Sequence, residues 1–247
     1  MPSKNWKRPS KGKLKLRKQA DETKLSSKFS IEKAYAAQQL LSKQVIRKDN
    51  LPRAIKYVGG VDVAYCADIS VGAVAVLDFN SLALIESQAV CCKTKFPYIP
   101  TLLSFREISP VVLAIRKLQT RPDVFLIDGQ GIAHPRRLGF ASHLGLAIDK
   151  PTIGVAKSLL CGEVGEFNDE GLASIIDKGE IVGAAVVTVL GEKPVYVSVG
   201  HRISLDRAIA IVRHFSCGKR VPEPILKAHR IANEEKEKLI VVGSKKC

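Results

Sequence analysis

Three acids in this chain stand where acids are costly. Asp62 interrupts the apolar run from Val58 to Tyr65, and Asp128 ends another, Val124 to Asp128. Glu107 has Leu103 four residues before it and Val111 four after, which puts it at the rim of a buried face if the local turn is helical. A carboxylate among apolar side chains must be paired, hydrogen-bonded or bound to a cation. Acids gathered from separate segments repel one another, and a divalent cation removes that repulsion. Hydrolases that cut phosphodiester bonds with Mg²⁺ are built in this way. Each acid also has a plainer reading. Asp62 could be satisfied by backbone N–H groups, and Glu107 could pair with Arg106 or Lys117.

The elements that must position these acids are readable from periodicity. A helix is expected over 31–48, capped by Ser30 and carrying Ile31, Ala34, Leu41 and Val45 at helical spacing. Runs 57–65, 71–79 and 82–92 have short links and read as a three-stranded antiparallel meander. Ser109-Pro110 reads as an N-cap followed by proline at the first helical position, with Arg121-Pro122 closing that helix. A strand over 123–128, a helix from near Pro135 to Ile148 and a strand over 151–156 follow. Strand–helix–strand spacing implies parallel pairing. The predicted class is therefore α/β: a ribonuclease H-like mixed sheet flanked by helices. A second hairpin, 181–190 with 194–199, and helices 204–214 and 223–238 complete the expected order.

Ligands of open α/β sheets gather at the carboxyl ends of parallel strands. Asp128 ends one such strand and Lys157 the next, where an ammonium can hold a phosphate. The alternative for Lys157 is a solvated strand-end lysine. Two arginines at the start of the helix expected from Pro135 would oppose its dipole, and an anion docked beside His134, Arg136 and Arg137 would relieve the conflict. Arginines splayed into solvent are the competing account. Pro97-Tyr-Ile-Pro100 is a stiff loop whose Tyr98 could act as a wedge between bases or pack on the body. His229 and His201 read equally as structural residues.

Composition narrows the partner. Of the net charge of +15, +8 lies in the first 18 residues, which hold no acid, and +7 in the rest. That balance points to a polyanion. Residues 1–26 read as a basic arm, either a solvated tail or a sequence-blind phosphate-binding segment, with a single catalytic domain over 27–247. The six cysteines form no CxxC pair, which argues against structural zinc and for reduced thiols in a cytoplasmic protein. No run has the roughly 20 apolar residues of a membrane span, so no membrane association is expected.

Several segments, in order, resemble the endonuclease V (deoxyinosine 3′-endonuclease) family: Val61–Tyr65, Pro97–Glu107, Asp128–Arg137, Gly139–His143, Gly154–Lys157 and Val221–Pro224, a likeness spanning about residues 30–238. The resemblance implies Mg²⁺-dependent cleavage of the second phosphodiester bond 3′ to a hypoxanthine nucleotide, leaving 3′-hydroxyl and 5′-phosphate ends, with Mn²⁺ as a substitute ion. It implies metal binding by Asp62 and Asp128, with Glu107 completing the acidic cluster and His229 close to it. Lys157 would contact the scissile phosphate. Tyr98 would be the wedge. Thr101, Leu103 and Gly129 would contribute backbone to the base pocket, and Phe140 an apolar wall. Where Thr101 stands the family often has glycine, which puts pocket geometry in question. The expected partner is inosine-containing DNA, with inosine-containing RNA open, acted on by a monomer. A non-catalytic nucleic-acid-binding protein on the same fold, or a ribonuclease H-type nuclease, are the competing readings; the first gives no reason for the acids and the second none for the wedge.

Overall fold

The computed structural model describes residues 30–244. The basic arm, residues 1–26, and Cys247 lie outside the described residues. Nine strands form one sheet in the order β3-β2-β1-β4-β5-β9-β8-β7-β6. The meander is β1 (Tyr57–Cys66), β2 (Ile69–Asp78) and β3 (Leu84–Lys93). Strand β4 (Val124–Asp128) pairs parallel to β1, and β5 (Thr152–Ala156) parallel to β4. The other pairings, through β6 (Glu163–Val164), β7 (Leu172–Asp177), β8 (Glu180–Val186) and β9 (Val195–His201), are antiparallel. This is the expected five-stranded mixed core with four further strands beyond β5, of which β8 and β9 are the expected hairpin. The helices are α1 (Ile31–Ser42), α2 (Leu103–Arg116), α3 (Phe140–Ile148), α4 (Leu205–Ser216) and α5 (Glu223–Ser244).

Alternation along β1 divides the core. Val61 packs with Val111, Phe125 and Phe140 beneath α2 and α3, while Val58 packs with Phe215 and Ile225 beneath α4 and α5. Two glycines let helices close on the sheet. A Cβ on Gly60 would lie 1.9 Å from the Pro224 carbonyl oxygen at the start of α5, and one on Gly72 would lie 2.6 Å from the Pro110 backbone of α2.

Three expectations need correction. Helix α1 stops at Ser42 rather than reaching residue 48. Helix α2 begins at Leu103, so Pro110 sits inside it and not at its first position. The continuous apolar stripe outweighs the one hydrogen bond that Pro110 cannot give. Helix α3 begins at Phe140; residues 135–138 precede it as an irregular turn in which Arg137 takes φ 56°. Strands β6 and β7 were not expected at all. Among the described residues the cysteines are free thiols, as expected, and no helix is long and apolar enough to cross a membrane.

Candidate active site at the carboxyl ends of the parallel strands

The pairing of β1 with β4 sets the site. Val61 lies opposite Ile127 in a parallel register, so the next residues, Asp62 and Asp128, emerge side by side on the same face. Asp128 in turn lies opposite Val155, two residues before Lys157. Burial, then the Asp128 charge, pushes the Asp62 carboxyl above the usual carboxylate range. Glu107, buried on α2, is pushed up to about 8 by burial and, secondarily, by the charges of Asp62 and Asp128. The three acids therefore feel one another.

They do not form the expected three-acid cage. Among the described residues no group of three His, Cys, Asp or Glu side chains is arranged to hold an ion. Each acid leans instead on its own partner. Asp62 Oδ2 accepts from His229 Nδ1 at 2.6 Å, Asp128 pairs with the Lys157 ammonium, and Glu107 Oε1 accepts from the Tyr65 hydroxyl at 3.0 Å. Like charges in a half-dry site separate toward whatever donors are at hand. On His229, Nε2 faces Asn233 Nδ2 at 3.1 Å; Asn233 Nδ2 also donates to the His229 carbonyl at 2.9 Å. That arrangement makes Nε2 an acceptor and leaves Nδ1 as the N–H donor to Asp62.

The donor set nevertheless suits a hard divalent ion. Mg²⁺ takes one or two protein carboxylates and completes its shell with water and substrate oxygens, so a closed protein cage is not required. Two carboxylates on adjacent strands, with a third driven toward its neutral form by burial and, less, by their charge, are an arrangement a cation would relieve. Glu107 makes no salt bridge with Arg106 or Lys117. The Arg106 guanidinium instead lies 4.4 Å over the Tyr65 ring and donates to the Phe96 carbonyl at 3.2 Å.

The loop ahead of α2 is braced at both ends. The Phe96 and Phe105 rings stack at 5.6 Å, and Phe105 meets His143 edge-on. Between these braces Tyr98 is 70% exposed, standing clear of the body, and Leu103 is partly exposed. Thr101 takes φ 68°, a left-handed conformation that glycine adopts freely and a β-branched residue rarely. Its carbonyl accepts from Gln38 Nε2 at 2.7 Å and faces His134 Nε2 at 3.1 Å, and its hydroxyl accepts from Arg136 at 2.8 Å. The Cβ is thus turned toward Arg136, whose guanidinium stacks 3.5 Å from the Tyr35 ring centroid.

These contacts correct the anion-docking idea at the 134–137 segment. His134 is buried, Arg136 is committed to Tyr35 and Thr101, and Arg137 is ion-paired with Asp177 at 2.8 Å and Glu180 at 2.7 Å. Neither arginine lies in a helical first turn, and neither is splayed into solvent. Gly129 and the buried Phe140 do adjoin: a Cβ on Gly129 would sit 3.5 Å from Phe140 Cβ. His201 is buried and structural, its Nδ1 accepting from Ile46 N at 3.2 Å. Sequence reasoning missed the partners Tyr65, Asn233, Gln38 and Tyr35. Tyr65 lies three residues from Asp62 in the same strand, which was the available signal.

Known proteins share this chain's sequence and fold. The Endonuclease V family profile matches residues 39–230. An endonuclease V of Nostoc sp. is 50% identical over 209 residues, covering 83% of this chain and 95% of its own length. That of Thermofilum pendens is 45% identical over 210 residues, covering 85% of this chain and 90% of its own. Among solved structures, Streptomyces avermitilis endonuclease V superposes with a TM-score of 0.80 at 37% identity, covering 85% of this chain and 95% of that one. Ciona intestinalis endonuclease V, solved with a 24mer DNA containing an inosine followed by a ribo-adenosine, gives 0.76 at 32% identity, covering 85% and 98%.

Proposed function

Because the chain belongs to the endonuclease V family, we propose that it is a Mg²⁺-dependent nuclease that cuts the second phosphodiester bond 3′ to deoxyinosine in DNA, leaving 3′-hydroxyl and 5′-phosphate ends. The observation that carries this reading is the register placing Asp62 beside Asp128, with Glu107 pushed up by burial and, secondarily, by both charges. Asp62 and Asp128 would hold the ion, with Mn²⁺ able to replace Mg²⁺. When bound, such an ion polarises a phosphoryl oxygen and lowers the pKa of its water.

The remaining roles belong to the chain's own residues. His229 orients Asp62 by donating from Nδ1. Tyr65 donates to Glu107 and keeps that carboxyl facing the site. Lys157, held by Asp128, stands where its ammonium can take up a phosphate oxygen. Tyr98 projects as a wedge beside an extruded base, and the Thr101–Leu103 backbone with Gly129 and Phe140 lines the pocket behind it. Weakened pairing of hypoxanthine lowers the cost of extrusion, so selectivity starts in the substrate.

The test is cleavage of a deoxyinosine oligonucleotide by wild-type, Asp62→Ala and Asp128→Ala chains, with and without Mg²⁺. Both variants should lose cutting and keep binding; undiminished cleavage by either would refute the assignment. Inosine-containing RNA is a second substrate reading, favoured by the ribo-adenosine after the inosine in the Ciona complex. A matched pair of DNA and RNA oligonucleotides with mapped ends separates the two. We take the acting species to be a cytoplasmic monomer, which sedimentation and fractionation would check.

A further inference from the structure

Lys157 lies just past the last residue of β5, where no ladder holds the chain. Its backbone is held by side chains instead. Arg220 Nη2 donates to the Lys157 carbonyl at 2.8 Å and to the Pro194 carbonyl at 3.0 Å, while Arg220 Nε donates to the Lys193 carbonyl at 2.8 Å. The next carbonyl, of Ser158, accepts from Gln130 Nε2 at 2.9 Å, and Gln130 lies two residues after Asp128. Arg220's own carbonyl accepts from Thr188 Oγ1 at 2.8 Å.

All three acceptors of this guanidinium are main-chain carbonyls, drawn from two segments far apart in sequence. One planar fork therefore joins the exit of β5, the turn before β9 and the approach to α5, the helix that carries His229. Only arginine presents several donors in fixed directions; a lysine ammonium is a single point and cannot span the same carbonyls.

We propose that Arg220 is a positioning residue for Lys157. It sets the direction in which the lysine leaves the sheet, and so holds the ammonium at Asp128 and at the phosphate to be cut. The proposal rests on the endonuclease reading above. It accounts for an arginine whose partners among the described residues include no carboxylate, in a place where the neighbouring acids have work of their own.

The test is single-turnover cleavage of an inosine oligonucleotide by Arg220→Ala, Arg220→Lys, Lys157→Ala and the Arg220→Ala/Lys157→Ala double variant, with binding measured in chelator. Displacing a reacting group by about 1 Å costs on the order of 100-fold, so Arg220→Ala should cut about 10- to 100-fold more slowly, with binding nearly unchanged. Arg220→Lys should be as slow. Millimolar guanidinium should restore part of the Arg220→Ala rate and none of the Lys157→Ala rate. The double variant, followed over hours with excess enzyme, should be no slower than Lys157→Ala alone. A wild-type rate in Arg220→Ala, or a double variant slowed by the product of the two single effects, would overturn the proposal. So would loss of folding in both Arg220 variants, which would assign the residue to the fold alone. If the wild-type chain leaves the inosine strand intact in Mg²⁺, the endonuclease reading fails; if it cuts and Arg220→Ala is indifferent, only this inference fails.

Discussion

Gly60→Ala tests whether the seat of α5 on the sheet sets the chemistry. The added Cβ would lie 1.9 Å from the Pro224 carbonyl oxygen and 2.7 Å from Ile225 N. Ordinary contact begins near 3.4 Å, so the first turn of α5 must retreat by roughly 1.5 Å. The obstacle is backbone, with no rotamer to turn aside. Overpacking of this kind costs about 1–3 kcal/mol, and a rigid backbone obstacle belongs at the upper end. For a domain of this size, about 3 kcal/mol lowers Tm by roughly 6–12 °C. His229 is carried on the same helix five residues beyond Pro224, so its 2.6 Å bond to Asp62 must lengthen as the helix moves. A shift of about 1 Å costs on the order of 100-fold in rate. The assay pairs thermal unfolding with single-turnover cleavage of an inosine strand, and Gly165→Ala is the control, since its Cβ would meet nothing closer than 3.6 Å. A Gly60→Ala chain with unchanged Tm and unchanged rate would refute the claim that this contact positions His229.

Other perturbations read other parts of the molecule. Burial pushes the His143 imidazole down to about 4, with Nδ1 facing Ser104 Oγ at 3.0 Å. The folded state therefore keeps this ring neutral while the unfolded chain takes up a proton below 6.5, so the stability it lends is complete above 6.5 and lost as pH falls toward 4. The advantage of wild type over His143→Gln in urea unfolding should shrink by about 2 kcal/mol between pH 7.5 and pH 5; a constant difference would contradict the burial argument. Arg137→Leu leaves Asp177 without its cation and Glu180 with Arg47 alone, and as the arginine is only 17% exposed it should cost about 2–3 kcal/mol in denaturant titration; a change near zero would show that the pair is solvent-screened. Base stacking on an aromatic side chain is worth about 1–3 kcal/mol, so Tyr98→Ala should lower the preference for inosine over plain duplex by about tenfold at unchanged Tm. Equal loss on both duplexes would remove the wedge role.

Where residues adjacent in sequence decide the outcome, the chain was legible. The meander shows itself because its links are short and its apolar runs long, and Asp62 and Asp128 announce themselves by interrupting those runs. Legibility fails where distant contacts compete with local signals. Ser109-Pro110 carries a helix-start signature, yet Gly72 on β2 offers Pro110 a flat seat and the apolar stripe from Leu103 carries the helix through it. His134–Arg137 resembles a helix start, but Glu180 and Asp177, some 40 residues on, hold Arg137 in a turn. Strand β7 has Ala173 and Ile175 buried between exposed Ser174 and Ile176, too short an alternation to stand out from loop. The acids could be found one by one, and Lys157 beside Asp128 by strand order; His229, 167 residues from Asp62, came only through the family resemblance, and Tyr65 as the partner of Glu107 not at all.

Those partners change how the site is to be understood. A cage of three carboxylates would bind an ion before any substrate arrived. Here Asp128 is already engaged by Lys157, and Asp62 by His229. On the function proposed above, an arriving phosphate would give the Lys157 ammonium a second anion, weakening its hold on Asp128 and leaving that carboxylate available to a cation. Binding of the nucleic acid and of the ion would then favour each other, each strengthening the other equally by linkage. Selectivity would follow from the same arrangement, because a strand not seated against Lys157 would leave Asp128 paired. On that reading the acids mark a place for chemistry, and their protein partners would make that place wait for a substrate.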